Sequence, residues 1–396
     1  MSGSENRSAA EDRSDQSGQF LMGNYPPQPV TFVRGAGSRL WDVDGKVYLD
    51  FLGGLAVTSL GHAHPVVAEA IAEQARTLSH VSNLYGTTVG PEVAETLDRL
   101  VGGGGRIFFA NSGAEANECA IKLARKWGGP GRYAVVSTYA SFHGRTLATL
   151  AATGQPAKHE PFQPLPEGFR HVAMGDIDAM DAAVDPEVVA AVLVETIQGE
   201  GGVNVPPKGW LGELRRLCDE RDVLLMLDEV QTGLGRTGDW FAFQHEGIRP
   251  DGVTMAKALG NGMPIGACWA RAEVASAFVP GDHGTTFGGQ PLAAAAARAT
   301  LAVMEAEDVP ARAARGGARL REGLTAMAGV SSVRGRGLLL AAEMTDRPAK
   351  DVADAALARG LVVNAVTPTA IRLAPSLLVT DDEVDEALAV LAGILC

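Results

Sequence analysis

The sequence predicts an α/β protein, with a large domain on a mostly parallel sheet and a smaller α+β domain built from both chain ends. Three observations carry that expectation. Short, nearly unbroken apolar runs alternate with helical stretches, as in strands buried on both faces. A chain of 396 residues suits two domains, or one large domain with a smaller companion. Glycine, at 48 residues, is well above its usual share of roughly 7%, which fits many tight turns or close backbone–ligand contacts.

The elements follow in order. Residues 1–19 are rich in Ser and charge and lack Leu, Ile, Val and aromatics. Such a stretch buries too little to offset its ordering entropy, so residues 1–20 are read as a disordered arm. Residues 30–51 alternate and turn, as in a small antiparallel meander. Pro65 and Pro91 each open an amphipathic helix. Strands are then expected at 107–110, 133–137, 190–195, 223–228, 252–256 and 266–270, with helices at 114–127 and 210–222 between them. An Ala-rich helix near 289–307 leads to a closing α+β segment. There, helices are expected at 310–328, 350–358 and 382–391, and strands at 338–343, 361–364 and 371–374. The resulting division gives 21–75 and 309–396 to the small domain and 76–308 to the large one.

Charge and composition narrow the function. A net charge of −13 speaks against a broad nucleic-acid surface, so an anionic ligand must be held by a few local cations. No apolar run reaches the roughly 18 residues of a membrane span, and the N-terminus lacks an apolar leader core. Cys119, Cys218, Cys268 and Cys396 form no C-x-x-C pair and read as reduced thiols, which points to the cytoplasm. His62 and His64 form an H-x-H with no third ligand nearby, so no metal is expected.

In a doubly wound sheet, ligands sit at the carboxyl ends of the strands. After the 107–110 run comes Asn111-Ser112-Gly113-Ala114-Glu115-Ala116-Asn117, a turn into a helix suited to phosphate, although the same turn also serves plain architecture. The next strands lead into Ser141-Phe142-His143-Gly144-Arg145 and Glu195-Thr196-Ile197-Gln198-Gly199-Glu200-Gly201. Two more end in Asp228-Glu229-Val230-Gln231 and Lys257. A lone Arg at a loop tip is usually a surface charge, and His143 reads as a structural hydrogen-bonder. A Lys closing an apolar strand is costly to bury, which suits an activated amine in a cleft. Lysine for a covalent bond, carboxylate for a ring nitrogen, aromatic for stacking and a phosphate turn are together what pyridoxal phosphate requires.

Over residues 21–393 the chain resembles the class III pyridoxal-phosphate aminotransferases of fold type I. The stretches that carry the resemblance include Leu60-Gly61-His62-Ala63-His64-Pro65, Phe142-His143-Gly144-Arg145 and Gln198-Gly199-Glu200-Gly201-Gly202. Leu227-Asp228-Glu229-Val230-Gln231-Thr232-Gly233, Lys257-Ala258-Leu259-Gly260, Thr286-Phe287-Gly288-Gly289 and Ile371-Arg372-Leu373-Ala374-Pro375 complete the pattern. Thr196, Thr285, Gln290 and Asn24 depart from residues common in the family, and none of them replaces a reacting group.

The resemblance implies roles. Lys257 would hold the cofactor covalently and move the proton, and Asp228 would face the pyridine nitrogen. Gln231 would meet the ring oxygen, Phe142 and Val230 the ring faces, and Gly113 and Ala114 the phosphate. Thr286 would reach that phosphate from the other subunit of a homodimer. Arg145, with Thr285 of the second subunit, would clamp the donor's α-carboxylate. Arg372 would grip the keto acid, and Glu200 would neutralise Arg372 while the amine donor is bound. The implied donor is N2-acetylornithine and the acceptor 2-oxoglutarate. Leu55, apolar where a Tyr would serve free ornithine, favours the acylated amine. Succinyl-diaminopimelate, ornithine, GABA and secondary-metabolite amines share the ω-amine geometry. An aminomutase, a decarboxylase or a non-catalytic binding protein are the other readings, and Arg372 with Glu200 and an intact Lys257 argue against them.

Overall fold

The computed structural model describes residues 20–395. The arm expected over 1–20 lies outside them except for Phe20, as does Cys396.

Strands β4 (Gly105–Ala110), β5 (Ala134–Thr138), β6 (Phe169–Val172), β7 (Val189–Glu195), β8 (Leu224–Asp228), β9 (Gly252–Met255) and β10 (Gly266–Arg271) form a seven-stranded sheet. Its order is β4-β10-β9-β8-β7-β5-β6. The inner strands pair in parallel, and only β10 runs against its neighbours β4 and β9. Every residue of β5, β7, β8 and β9 is buried, which is why these strands read as unbroken apolar runs. The helix Gly113–Gly128 covers β4, β7, β9 and β10, while Pro291–Ala306 packs against Pro65–Thr77 and Val89–Val101. Ala dominates the buried face of Pro291–Ala306, so neighbouring backbones pack closely there.

Two smaller sheets flank this body. One has the order β1-β2-β3-β13, from Phe32–Ala36, Arg39–Asp42, Val47–Asp50 and Leu361–Val362. The other has the order β11-β12-β15-β14, from Val330–Arg336, Leu339–Met344, Ala370–Leu373 and Asn364–Ala365. The single strand expected at 361–364 is thus two. Leu361 and Val362 pair with Leu49 and Asp50, whereas Asn364 and Ala365 pair with Arg372 and Ile371. The chain changes sheets at Val363. Two strands have no counterpart in the sequence reading: β6 is a half-buried edge, and β11 carries a mixed polar pattern.

Register places the chemistry. Glu195 lies opposite Asp228, and Asp228 opposite Thr254, so the carboxyl ends of β7, β8 and β9 line up along one edge. Lys257 follows directly in a short 3-10 turn. Its φ of 35° is left-handed, a conformation that costs an L-residue about 1–3 kcal/mol and turns the chain sharply off β9.

Candidate active site

A cavity of about 440 Å³ opens at this edge. Its lining includes Gly113, Ala114, Phe142, Arg145, Glu200, Asp228, Val230, Gln231 and Lys257. The turn Asn111–Gly113, the loop Phe142–Arg145, the ends of β7 and β8, and Lys257 therefore meet at one place.

Asp228 is buried and densely held. Its Oδ2 accepts from Asn117 Nδ2 at 2.8 Å and lies 2.8 Å from His143 Nδ1, while Oδ1 accepts from the Val230 amide at 3.0 Å. Behind this shell, Thr254 donates to Asn117 Oδ1 at 2.6 Å, and His143 Nε2 lies 3.0 Å from Ser137 Oγ. The reading of His143 as a hydrogen-bonder agrees with this position. Asn117 stands one helical turn after Gly113 and faces the same side, the one sign in the sequence of its place here.

Lys257 is half-buried at the cavity, and burial pulls its ammonium below the usual lysine range despite the opposing pull of Glu200. A neutral amine is thereby favoured, the state that attacks a carbonyl. Glu195, opposite Asp228, is pushed well above the ordinary carboxylate range by burial and then by Asp228. Its oxygens accept from the Phe142 amide at 3.0 Å and the Gly199 amide at 3.1 Å. In the sequence this carboxylate stands out at the end of an apolar run, but nothing there indicates its role.

Arg372 forms the second cluster. Its side chain is 1% exposed, and Nη1 meets Glu200 Oε1 at 2.5 Å and Gln231 Oε1 at 3.1 Å. Gln231 Nε2 donates back to Glu200 Oε1 at 3.2 Å, so Gln231 engages Glu200 and Arg372. Burial works to raise the Glu200 carboxyl, but Arg372 and Lys257 outweigh it and hold it low. Arg372 Nη2 is buried without a partner among the described residues.

The residues present fit pyridoxal phosphate. The Ser112 side chain caps Glu115, which leaves the Gly113 and Ala114 amides at the helix start without acceptors among the described hydrogen bonds. Gly113 is required where it stands, because a Cβ there would come within 2.8 Å of Val230. Phe142 and Val230 both border the cavity. Arg145 is exposed, with its guanidinium carbon 5.6 Å from the Phe142 ring centroid.

Four expected residues do not line this cavity. Arg372 borders it only through Glu200 and Gln231. Thr285 accepts from Asn111 Nδ2 at 3.1 Å, and Thr286 borders a small separate depression beside His80 and Tyr85. Leu55 sits in a left-handed turn, 39% exposed; the nearby Val57 lines the cavity in its stead. His62 Nε2 lies 2.7 Å from Asp50, and among the described residues no cluster suited to a metal ion occurs. Nor is any described helix long and apolar enough to cross a membrane.

Comparison with known proteins agrees with this geometry. The family model of class III aminotransferases matches residues 22–395. The chain is 48% identical over 399 residues to the acetylornithine aminotransferase of Corynebacterium efficiens, covering 98% of each protein. It is 50% identical over 379 residues to that of Mycobacterium bovis, covering 95% of this chain and 94% of the relative. Among solved structures, the ornithine aminotransferase of Toxoplasma gondii superposes with a TM-score of 0.93 at 34% identity, covering 99% of this chain and 97% of that one. An acetylornithine aminotransferase from Elizabethkingia anophelis gives 0.86 at 33%, covering 98% of each. With its lysine, its paired carboxylates and its phosphate turn at one sheet edge, this chain belongs to the class III aminotransferases, which depend on pyridoxal phosphate.

Proposed function

We propose that the protein transfers the ω-amino group of N2-acetylornithine to 2-oxoglutarate, giving N-acetylglutamate 5-semialdehyde and glutamate, a step of arginine biosynthesis. It works as a cytoplasmic homodimer, by two half-reactions in turn. Support for the dimer is the position of Thr285 and Thr286 outside the chain's own cavity, where Thr286 of the partner subunit is free to complete a neighbouring phosphate site. Support for the domain division of 21–75 with 309–396 around 76–308 is the pairing of β3 with β13.

When bound, the cofactor supplies an electron sink for the carbon that loses a proton. The chain's own residues do the rest. Lys257 Nζ would hold the cofactor and carry the proton. Asp228, its carboxylate fixed by Asn117 and His143, would keep the pyridine nitrogen protonated. The Gly113 and Ala114 amides would bind the phosphate, and Phe142 and Val230 would cover the ring. Arg145 holds the donor's α-carboxylate. While the donor is bound, Glu200 neutralises Arg372. When the keto acid enters, Glu200 turns away, and Arg372 offers Nη1 together with the unpartnered Nη2 to a carboxylate.

The observation that carries the choice of donor is the identity of 48–50% over nearly the whole chain to acetylornithine aminotransferases. Arg145, which lines the cavity, would repel a free α-ammonium beside it but not a neutral amide. N-acetylornithine should therefore exceed ornithine by at least about a hundredfold in kcat/KM, roughly 2.7 kcal/mol of discrimination. Steady-state comparison of the two donors tests this, and equal efficiencies would leave only an ω-aminotransferase.

A further inference from the structure

We propose that Glu195 is a positioning residue that straps the cofactor-covering loop and the turn bearing Glu200 to the sheet edge, so that both are set by one carboxylate. The inference rests on the roles of Phe142 and Glu200 given above. Glu195 ends β7, is 5% exposed and borders the cavity. One oxygen takes the amide of Phe142 at 3.0 Å, the other the amide of Gly199 at 3.1 Å. The first fixes the backbone that aims the Phe142 ring. The second fixes the residue immediately before Glu200.

The neighbouring contacts make the strap specific. Gln198 is tied to Asn204 by a pair of backbone hydrogen bonds, and its side chain donates to Thr138 Oγ1 at 3.0 Å and the Tyr139 carbonyl at 2.7 Å. With Gly199 held on its other side, the turn is immobilised up to Glu200, and only that side chain is left to rotate. At Gly199 a Cβ would fall 2.0 Å from Gln231 Oε1, so any side chain there would displace Gln231 from Glu200 and Arg372. Exchange between donor and acceptor is thus confined to side-chain rotation about a fixed pivot, and Glu195 is the pivot's mount. A glutamine in its place has the same shape, yet its amide nitrogen must point a donor at one of the two backbone donors.

The test uses the full-length enzyme with and without pyridoxal phosphate. In Glu195→Gln, hydrogen–deuterium exchange over residues 139–145 and 197–202 should accelerate about tenfold in at least one segment, the effect of one lost hydrogen bond of ordinary net strength. Glu195→Ala should accelerate both. The preference for the ω-amino donor over glutamate should fall about tenfold in Glu195→Gln, with reduced visible circular dichroism of the bound cofactor. Glu200→Gln should alter only the preference and leave exchange over 139–145 unchanged. Should Glu195→Gln fail to fold or to load, Glu195→Asp, one methylene too short to span both amides, is read the same way. Wild-type protection of both segments in these variants, or a donor preference within twofold of wild type, overturns the proposal. A wild-type enzyme inactive on every ω-amino donor would instead overturn the function proposed above, and the exchange measurement would still decide whether the strap exists.

Discussion

The two charged clusters at the cavity are built on opposite plans. Around Asp228, Oδ2 is engaged by Asn117 and His143, themselves held from behind by Thr254 and Ser137, and Oδ1 by the Val230 amide. Around Arg372, Nη1 is shared between two acceptors, and Nη2, although buried, has none among the described residues. Glu200 is 29% exposed, whereas Asp228 is 4% exposed. A buried donor left without a partner costs about 1–3 kcal/mol, so it persists where an incoming group will satisfy it. One cluster is made to stay still and the other to change partners.

Four substitutions break or sharpen that contrast. The largest effect belongs to Lys257→Ala, which removes both the covalent hold and the proton carrier. Turnover should vanish with the cofactor's visible band while far-ultraviolet circular dichroism stays native, and residual turnover within about tenfold of wild type would contradict it. Asp228→Asn should retain cofactor and lose about three orders of magnitude in kcat, because the ring nitrogen is no longer held protonated. Near-normal single-turnover kinetics would mean that the wrong carboxylate had been assigned.

His143→Gln should cost about ten- to hundredfold in kcat, the worth of one hydrogen bond to a charged group, and should affect both half-reactions alike. Glu200→Gln should be the mildest of the four, should act chiefly on the donor half-reaction and should lower the preference for the ω-amino donor over glutamate about tenfold. Stopped-flow measurement of the separate half-reactions distinguishes the two. If His143→Gln were as asymmetric as Glu200→Gln, the division into a fixed and an exchanging cluster would fail.

Much of this arrangement is legible in the sequence, for a physical reason. Strands β7, β8 and β9 are buried on both faces, so they are written as apolar runs, and the polar residues ending them stand out as Glu195, Asp228 and Lys257. β6 and β11 escape because an edge strand with partial exposure has no such contrast. The switch at Val363 escapes because one apolar run pairs with two sheets. Asp228 and Lys257 follow from what the cofactor's chemistry demands. The contact of Glu200 with Arg372 joins residues 172 positions apart, and only the family resemblance suggests it. The roles expected of Leu55, Thr285 and Thr286 come from the family resemblance alone, since periodicity and spacing within one chain carry no information about them.

The pairing of β3 with β13 bears on how the molecule is made. Lys46, next to β3, donates to the carbonyl of Ala358, 312 residues further along the chain. A ribosome releases the N-terminal meander long before the segment that completes its sheet has been synthesised. Until then the meander has an open edge at β3, and loop closure over so long a span comes late. The seven-stranded sheet, whose strands lie between residues 105 and 271, is complete in sequence well before that point. Vectorial synthesis therefore favours a nascent chain whose seven-stranded sheet is assembled first, with the β3–β13 sheet closing later.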